Sequence, residues 1–482
     1  MNPPILSSLA WSLVRTWGGR LAGFAIYFQL VRVLAPEDMG LFSAAFAVFV
    51  FLEIFADLGM VQAVVQRPQV TPAQLNAVLL LNMLAAVLLT AVLWSAAPLV
   101  ETLVGIPRLG AVLQVGCLTL LFSSAGFAQE AMARRRFEFR RLAMRTLFST
   151  IVGGAVGVWL AATGHGVWAL VVQLLVSSAL NAGALWLRPA WSLRVRPDFR
   201  GVGQLACFGT HVTGMRLVEY AGTRGVELLI AMLLGPHALG IYAVGTKIHY
   251  IFMQLLGLAL SDVAQSGYAR LAADLDRLRA AYLSSVSAAA LAATPAWAVL
   301  SAAAPEIALI AFGPRWTACA QVLGPVALLG ALQVLQKFDT AVLNALGRPG
   351  LTLMLSAARS LGALLAVWLA HDRGLAAVAM AFVASQLLVA PVNLWLLHRH
   401  LKAAWRGWIG CTWLPLFGGC LAWIAMSLAR DADAVAHATA LVRLLMLASI
   451  GGATYLVALA ALGRRQLYGL WFDWRALRRP SP

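Results

Sequence analysis

Apolar runs of about 20 residues recur from one end of the chain to the other, with polar residues gathered between them. They fall at about 12–34, 40–64, 75–100, 109–128, 146–163, 166–186, 205–234, 240–264, 281–304, 318–336, 351–369, 374–397, 407–428 and 440–462. A helix of about 20 apolar residues, rising 1.5 Å per residue, crosses the roughly 30 Å hydrocarbon core of a bilayer. The pattern therefore predicts an all-α polytopic membrane protein with about 14 transmembrane helices. It does not show the short alternating segments of a transmembrane β-barrel. An even number of spans puts both termini on one side.

Composition agrees. Of 482 residues, 61% are hydrophobic and 11% charged. Soluble domains carry about 25% charged residues, so too few charges remain here to cover a soluble surface. That excludes a soluble enzyme, a disordered chain and a secreted disulfide scaffold. The net charge of +17 would suggest nucleic acid in a soluble protein. In a membrane protein Lys and Arg collect on cytoplasmic loops instead. With the spans above, 24 of the 36 Lys and Arg lie on the side of the termini, four on the other side and eight within spans. This bias predicts cytoplasmic termini, and nucleic acid is not an expected partner. The N-terminal stretch lacks a basic n-region and an A-x-A site, so no cleaved signal peptide is expected.

A repeat is embedded in the spans. LAPEDMGLF (34–42) and LGPHALGIY (234–242) lie 200 residues apart, with Leu, Pro and Gly identical at three positions. Each falls at a tight turn between two long apolar runs, where Pro and Gly punctuate the chain. The first joins spans one and two, the second spans seven and eight. An even number of intervening spans gives both halves the same orientation, a parallel repeat of the kind found in alternating-access transporters. The offset predicts a six-helix lobe at 1–200, a second at 201–400, and a C-terminal segment, 401–482, with two further helices and a basic tail.

No loop is long enough for a catalytic domain outside the bilayer, and an enzyme is not expected. GIYAVGTKI (240–248) lacks the GK[ST] of a phosphate-binding loop, the D-x-D pairs at 274–276 and 431–433 sit in short loops, and the histidines form no HExxH. No cofactor or metal is expected. The informative residues are charges inside spans, each costing about 2.5–3.5 kcal/mol at mid-bilayer. Arg15 and Arg20 fall in the first span, Glu53 and Asp57 in the second, Asp262 in the eighth and Arg359 in the eleventh. The seventh carries Arg216, Glu219, Arg224 and Glu227. At about 100° per residue these four share a stripe about 140° wide. A purely structural reading pairs Arg216 with Glu219 and Arg224 with Glu227 at i,i+3. The functional reading turns the stripe toward a chamber lined by arginines, with Arg15, Arg20, Arg216, Arg224 and Arg359 binding an anionic head. Glu53, Asp57, Glu219, Glu227 and Asp262 would balance charge or couple transport. Guanidinium grips phosphate oxygens bidentately, which suits a pyrophosphate. Arg32 and Arg443, near the outer boundary, are explained by snorkelling.

LVRVLAPEDMGLFSAAFAV (30–48), LLGPHALGIYAVGTKI (233–248), APEIALIAFGPRWTACAQVLGPVALLGALQ (304–333) and LNALGRP (343–349) resemble the polysaccharide-transport family. That family belongs to the multidrug/oligosaccharidyl-lipid/polysaccharide superfamily and includes the Wzx-type flippases of lipid-linked repeat units. The resemblance covers about residues 1–400. It implies a two-lobed bundle alternating between inward- and outward-facing states in a bacterial plasma membrane. It also implies a polyprenyl-pyrophosphate-linked oligosaccharide as substrate, membrane lipids around it, and polysaccharide polymerase and export machinery as partners. The alternatives are a cation-coupled multidrug exporter of the same superfamily, favoured by acidic residues in the chamber, and a membrane polysaccharide polymerase or ligase, which would need a large outer loop.

Overall fold

The computed structural model describes residues 18–462 except 58, 68–69, 192, 194, 200–201 and 402–404, with the backbone alone at 66, 202, 204–208, 210–212, 255–263, 266 and 434. Among the described residues every regular element is helical. The chain divides into two compact units, Met1–Gly240 and Ile241–Pro482. The first unit contains α1 (Gly19–Val33), α2 (Pro36–Asp57), α3 (Met60–Gln66), α4 (Pro72–Val104), α5 (Leu109–Gly116), α6 (Leu118–Arg135), α7 (Phe139–Ala162), α8 (Val167–Trp186) and α9 (Val202–Tyr220). A π-helical turn (Ala221–Gly225) follows, then the start of α10 (Val226–Leu271). The second unit holds the rest of α10, then α11 (Leu275–Ala302), α12 (Ala304–Phe312), α13 (Ala320–Leu328), α14 (Gly330–Ala345) and α15 (Pro349–Ala370). It ends with α16 (Leu375–Leu401), α17 (Trp405–Arg430), the short α18 (Asp433–Ala436) and α19 (Ala440–Leu462).

Among the described residues, eleven helices are long and apolar enough to cross a membrane, or 12 if the bent pair Pro314–Leu328 and Gly330–Ala345 is one span. The expected 14 is not reached on that count. The difference lies in two places. The first expected span, 12–34, begins outside the described residues. The seventh and eighth count as one stretch, Thr213–Gln254, although Gly235 breaks it with φ 84° and ψ 176°.

Local sequence sets the helix ends. The Thr71 side chain accepts from the Gln74 amide at 3.3 Å and the Gln74 side chain accepts from the Thr71 amide at 3.2 Å, with Pro72 at the first helical position. This capping box satisfies N–H groups that an α-helix start leaves unpaired. At the other end of α4 the Glu101 carboxylate accepts from the Arg108 and Gly110 amides at 3.1 and 2.7 Å. It thereby ties α4 to the start of α5.

Small residues then let helices approach, as they must where lipid removes the hydrophobic drive between helices. In α7, a methyl on Gly154 would overlap Ile26 of α1, and methyls on Gly153 and Gly157 would strike Ser177 and Gln173 of α8. In the second unit α11 is central: α14 and α17 pack on it, with Gly330 under the Trp297 ring and Gly419 against Thr294. The C-terminal pair is fastened to this unit by Glu306, whose side chain is 3% exposed. Arg430 reaches it at 2.6 Å and Arg443 at 3.7 Å. Arg443 also donates to the Val435 and Ala436 carbonyls. Snorkelling is therefore not what holds Arg443. It bridges a buried carboxylate and a helix C-terminus, both of which favour a cation.

Candidate functional site

α2 ends where the chain must turn. Gly59 takes the left-handed conformation, φ 66°, and its α-carbon packs so closely on the Gly209 backbone of α9 that no side chain would fit. Asp57, the last residue of α2, is 4% exposed at its side chain. Its Oδ1 accepts the Val61 amide of α3 at 3.2 Å, and its Oδ2 accepts Nη1 of Arg216 at 2.5 Å. Both oxygens of the buried carboxylate are thus used, one by a helix start and one by a cation 159 residues away. Among the described residues Arg216 pairs with Asp57 and not with Glu219, the partner that the purely structural reading gives it. Glu219 is exposed, so water serves it, whereas a buried carboxylate needs its counter-ion far more.

The π turn lies one helical turn beyond Arg216. Thr223 bonds back to the Glu219 carbonyl at 3.0 Å, competing with the backbone ladder, and Gly222 and Gly225 weaken the local helix. Such insertions cluster at functional sites. Here the turn presents Arg224, whose Nη1 bonds both Glu227 oxygens at 2.8 and 2.6 Å. Its guanidinium lies 5.3 Å from the centre of the Phe46 ring, within cation–π range. The Tyr220 hydroxyl donates to the Ala47 carbonyl at 3.1 Å.

These groups wall a cavity of about 500 Å³ within the first unit, a size typical of ligand sites. It brings together Glu53, Asp57, Arg216, Glu219 and Arg224 of the expected residues. Glu227 is buried and holds Arg224 without lining the cavity. Arg20 is not in the lining; one of its guanidinium nitrogens is buried in α1 without a partner among the described residues. Arg359 lies in the second unit, bonded to Gln336 at 3.3 Å and Ser356 at 3.2 Å. Arg15, and the side chain of Asp262, lie outside the described residues.

Two further charged residues in the lining, Glu130 and Arg134, were missed by the sequence reading. It ended the fourth span at 128 and read Arg134 as loop, but α6 continues to Arg135. Glu130 is bracketed by Arg134 at 2.5 Å and Arg145 at 3.1 Å. The lining therefore holds four carboxylates, Glu53, Asp57, Glu130 and Glu219, against three arginines. In this cavity, therefore, arginines do not outnumber carboxylates. Each of the three arginines is bonded to a carboxylate. The bonds of Arg216 and Arg224 to these carboxylates use one nitrogen each, and a guanidinium has five N–H donors. The sequence reading also missed Asp339 of α14, which is 3% exposed. It accepts the Tyr282 hydroxyl at 2.7 Å and the Asn393 amide at 2.9 Å.

A family model described as polysaccharide biosynthesis protein matches residues 29–321. The chain belongs to this family. Its relatives include the succinoglycan biosynthesis transport protein ExoT of Rhizobium meliloti, 24% identical over 67% of this chain and 66% of that protein, just under two thirds of its length. The teichuronic acid biosynthesis protein TuaB of Bacillus subtilis is 23% identical over 72% of each chain. The lipopolysaccharide biosynthesis protein WzxC of Escherichia coli is 20% identical over 86% of this chain and 85% of that protein. Among solved structures, the lipid II flippase MurJ in an inward closed conformation superposes with a TM-score of 0.76 at 12% identity, covering 95% of this chain and all of that one. An inward-facing multidrug resistance transporter of the MATE family gives 0.64 at 14% identity over 81% of this chain and 98% of that one. The family's fold is thus the multi-pass membrane bundle expected from the hydrophobic pattern, and the named relatives are a biosynthesis transport protein and two biosynthesis proteins.

Proposed function

We propose that the protein is a flippase. It moves a polyprenyl-pyrophosphate-linked oligosaccharide, an O-antigen or exopolysaccharide repeat unit, from the cytoplasmic to the outer leaflet of a bacterial plasma membrane by alternating access. In this reading 1–200 and 201–400 are the repeat-related lobes, 401–482 is an addition, and both termini are cytoplasmic. The observation that carries it is the Asp57–Arg216 pair on the cavity wall. Asp57 is buried, while the Arg216 side chain is 35% exposed and lines the cavity with Arg224. Arg216 can keep its carboxylate and still offer donors to a pyrophosphate, and a bidentate grip gives such a contact its specificity. Glu53 is a lining carboxylate that forms no ion pair among the described residues, and it takes the coupling role. Asp57, Glu130 and Glu227 hold the arginines. The substrate is supplied by the machinery that builds the lipid-linked unit and consumed by a polymerase and exporter.

The excess of carboxylates in the lining favours a second reading, cation-coupled export of a cationic drug. The two are separated in one strain lacking the gene. A flippase restores surface polysaccharide and leaves drug susceptibility unchanged; a drug exporter does the reverse.

A further inference from the structure

The second unit carries a polar seam between α14 and α15, apart from the charged cavity of the first. α14 is two-faced. At about 100° per residue, Gln333, Gln336, Lys337, Thr340 and Asn344 fall within a stripe about 100° wide. The buried Leu335, Phe338 and Val342 lie on the opposite face. α15 repeats the pattern, with Thr352, Ser356, Arg359 and Ser360 in one stripe and the exposed Leu361, Leu365 and Trp368 opposite. The two stripes are stitched together. Arg359 Nη1 donates to Gln336 Oε1 at 3.3 Å, and the Thr352 hydroxyl donates to Asn344 Oδ1 at 3.3 Å.

The three amides of α14 are all held by their oxygens. That of Gln333 bonds His249 Nε2 at 2.9 Å, that of Gln336 takes Arg359 and that of Asn344 takes Thr352. None of the three NH2 groups is bonded among the described residues, and none is buried. Polar residues that only fasten helices together in a membrane use their donors as well, because an amide facing hydrocarbon must be satisfied. Here six N–H donors, two per amide, stay within reach of water along one helix face. Neither stripe contains a carboxylate, whereas the lining of the first unit's cavity holds four. From Gln333 to Asn344 the helix rises about 16 Å. A pyrophosphate is too compact to follow such a row. A chain of sugars offers hydroxyl and ring oxygens as acceptors along its whole length.

We propose that this seam binds the oligosaccharide part of the transported lipid, with the NH2 groups of Gln333, Gln336 and Asn344 donating to sugar oxygens. The proposal rests on the flippase reading above and adds where the sugars are read. His249, Arg359 and Thr352 fix which way the donors point, and a donor already fixed loses less freedom when it binds. A site built to hydrogen-bond hydroxyls discriminates against a ligand that lacks them, because its donors are then left without acceptors.

The test uses the full chain purified into lipid nanodiscs and two probes. One is the polyprenyl-pyrophosphate-linked oligosaccharide extracted from the host strain; the other is polyprenyl pyrophosphate without sugar. Gln336→Glu and Asn344→Asp keep an oxygen for Arg359 and Thr352 and lose the NH2 group. Each should bind the glycosylated lipid about tenfold more weakly, with the sugar-free lipid bound as by the parent. Arg216→Ala should weaken both. A seam that merely fastens α14 to α15 predicts no loss in Gln336→Glu, since Arg359 keeps its acceptor. Variants that bind the glycosylated lipid like the parent, or that lose both lipids equally, overturn the proposal and leave the flippase reading standing. If Gln336→Glu does not reach the membrane, Asn344→Asp, at an exposed position, decides alone. A parent that binds neither lipid would sink the flippase reading, and the seam's role with it.

Discussion

Asp57 in the first unit and Asp339 in the second are both carboxylates 3% exposed within helical bundles, and the protein treats them in opposite ways. Asp339 is satisfied by neutral donors, the Tyr282 hydroxyl and the Asn393 amide, from helices that enclose it. Asp57 is satisfied by a cation, and that cation also faces a cavity. A buried group closed off by neutral donors organises packing; it has nothing to exchange. A pair with one member on a cavity wall can trade part of its partner's donors for a ligand. The comparison teaches that burial of charge alone does not mark the site. What marks it is a charge whose partner remains reachable.

The comparison breaks most sharply at Arg216. Arg216→Ala should abolish polysaccharide export at normal membrane levels, measured by complementation with an immunoblot. Losing one partner of a buried pair costs about 3–5 kcal/mol. Solvent screens Arg216, so the stability loss should be smaller, about 1–2 kcal/mol, too little to account for lost export. Arg216→Lys should retain part of the activity, since it keeps the charge and loses the fork.

Asp339→Ala should give the reverse pattern. It leaves the Tyr282 hydroxyl and the Asn393 amide without their acceptor, at about 1–3 kcal/mol each. The purified protein should melt earlier and accumulate less, while export per molecule stays near the parent's. Asp339→Asn, which keeps an acceptor oxygen, should lose less stability.

Arg224→Ala is expected to reduce export by less than Arg216→Ala, because Arg224 sits on Glu227 of its own helix and Arg216 stays in place. Glu227→Gln should lower export through Arg224 alone, so the double variant with Arg224→Ala should be no worse than Arg224→Ala by itself. The smallest effect is expected from Glu306→Gln. It loosens the hold of Arg430 and Arg443 on the C-terminal pair and should show as faster proteolysis between α17 and α19, with export retained.

Much of this architecture was legible in the sequence because span length and hydrophobic period are local properties. The turn at Gly235 and the start at Pro36 were also legible, since proline and glycine act where they stand. The site was legible only in part. Arg216, Arg224, Glu53, Asp57 and Glu219 stood out as charges in apolar runs. Glu130, Arg134 and Asp339 did not, because the apolar run ends before the helix does; α6 reaches Arg135 and α14 reaches Ala345. The partner of Arg216 could not be read at all. An i,i+3 neighbour is visible on the helix, whereas Asp57 is brought there by the α2–α3 turn and the close approach of Gly59 to Gly209. The π turn was invisible for a related reason: a uniform 100° period contains no inserted residue.

The central claim is that Arg216 touches the substrate and is not merely the counter-ion of Asp57. The double variant Arg216→Ala with Asp57→Asn tests it directly, because it removes both charges and leaves no buried carboxylate unpaired. Export is measured by complementation at matched membrane levels beside each single variant. The account predicts that the double variant remains as inactive as Arg216→Ala. Recovery of export to the parent level would show that Arg216 served only Asp57, and would contradict it.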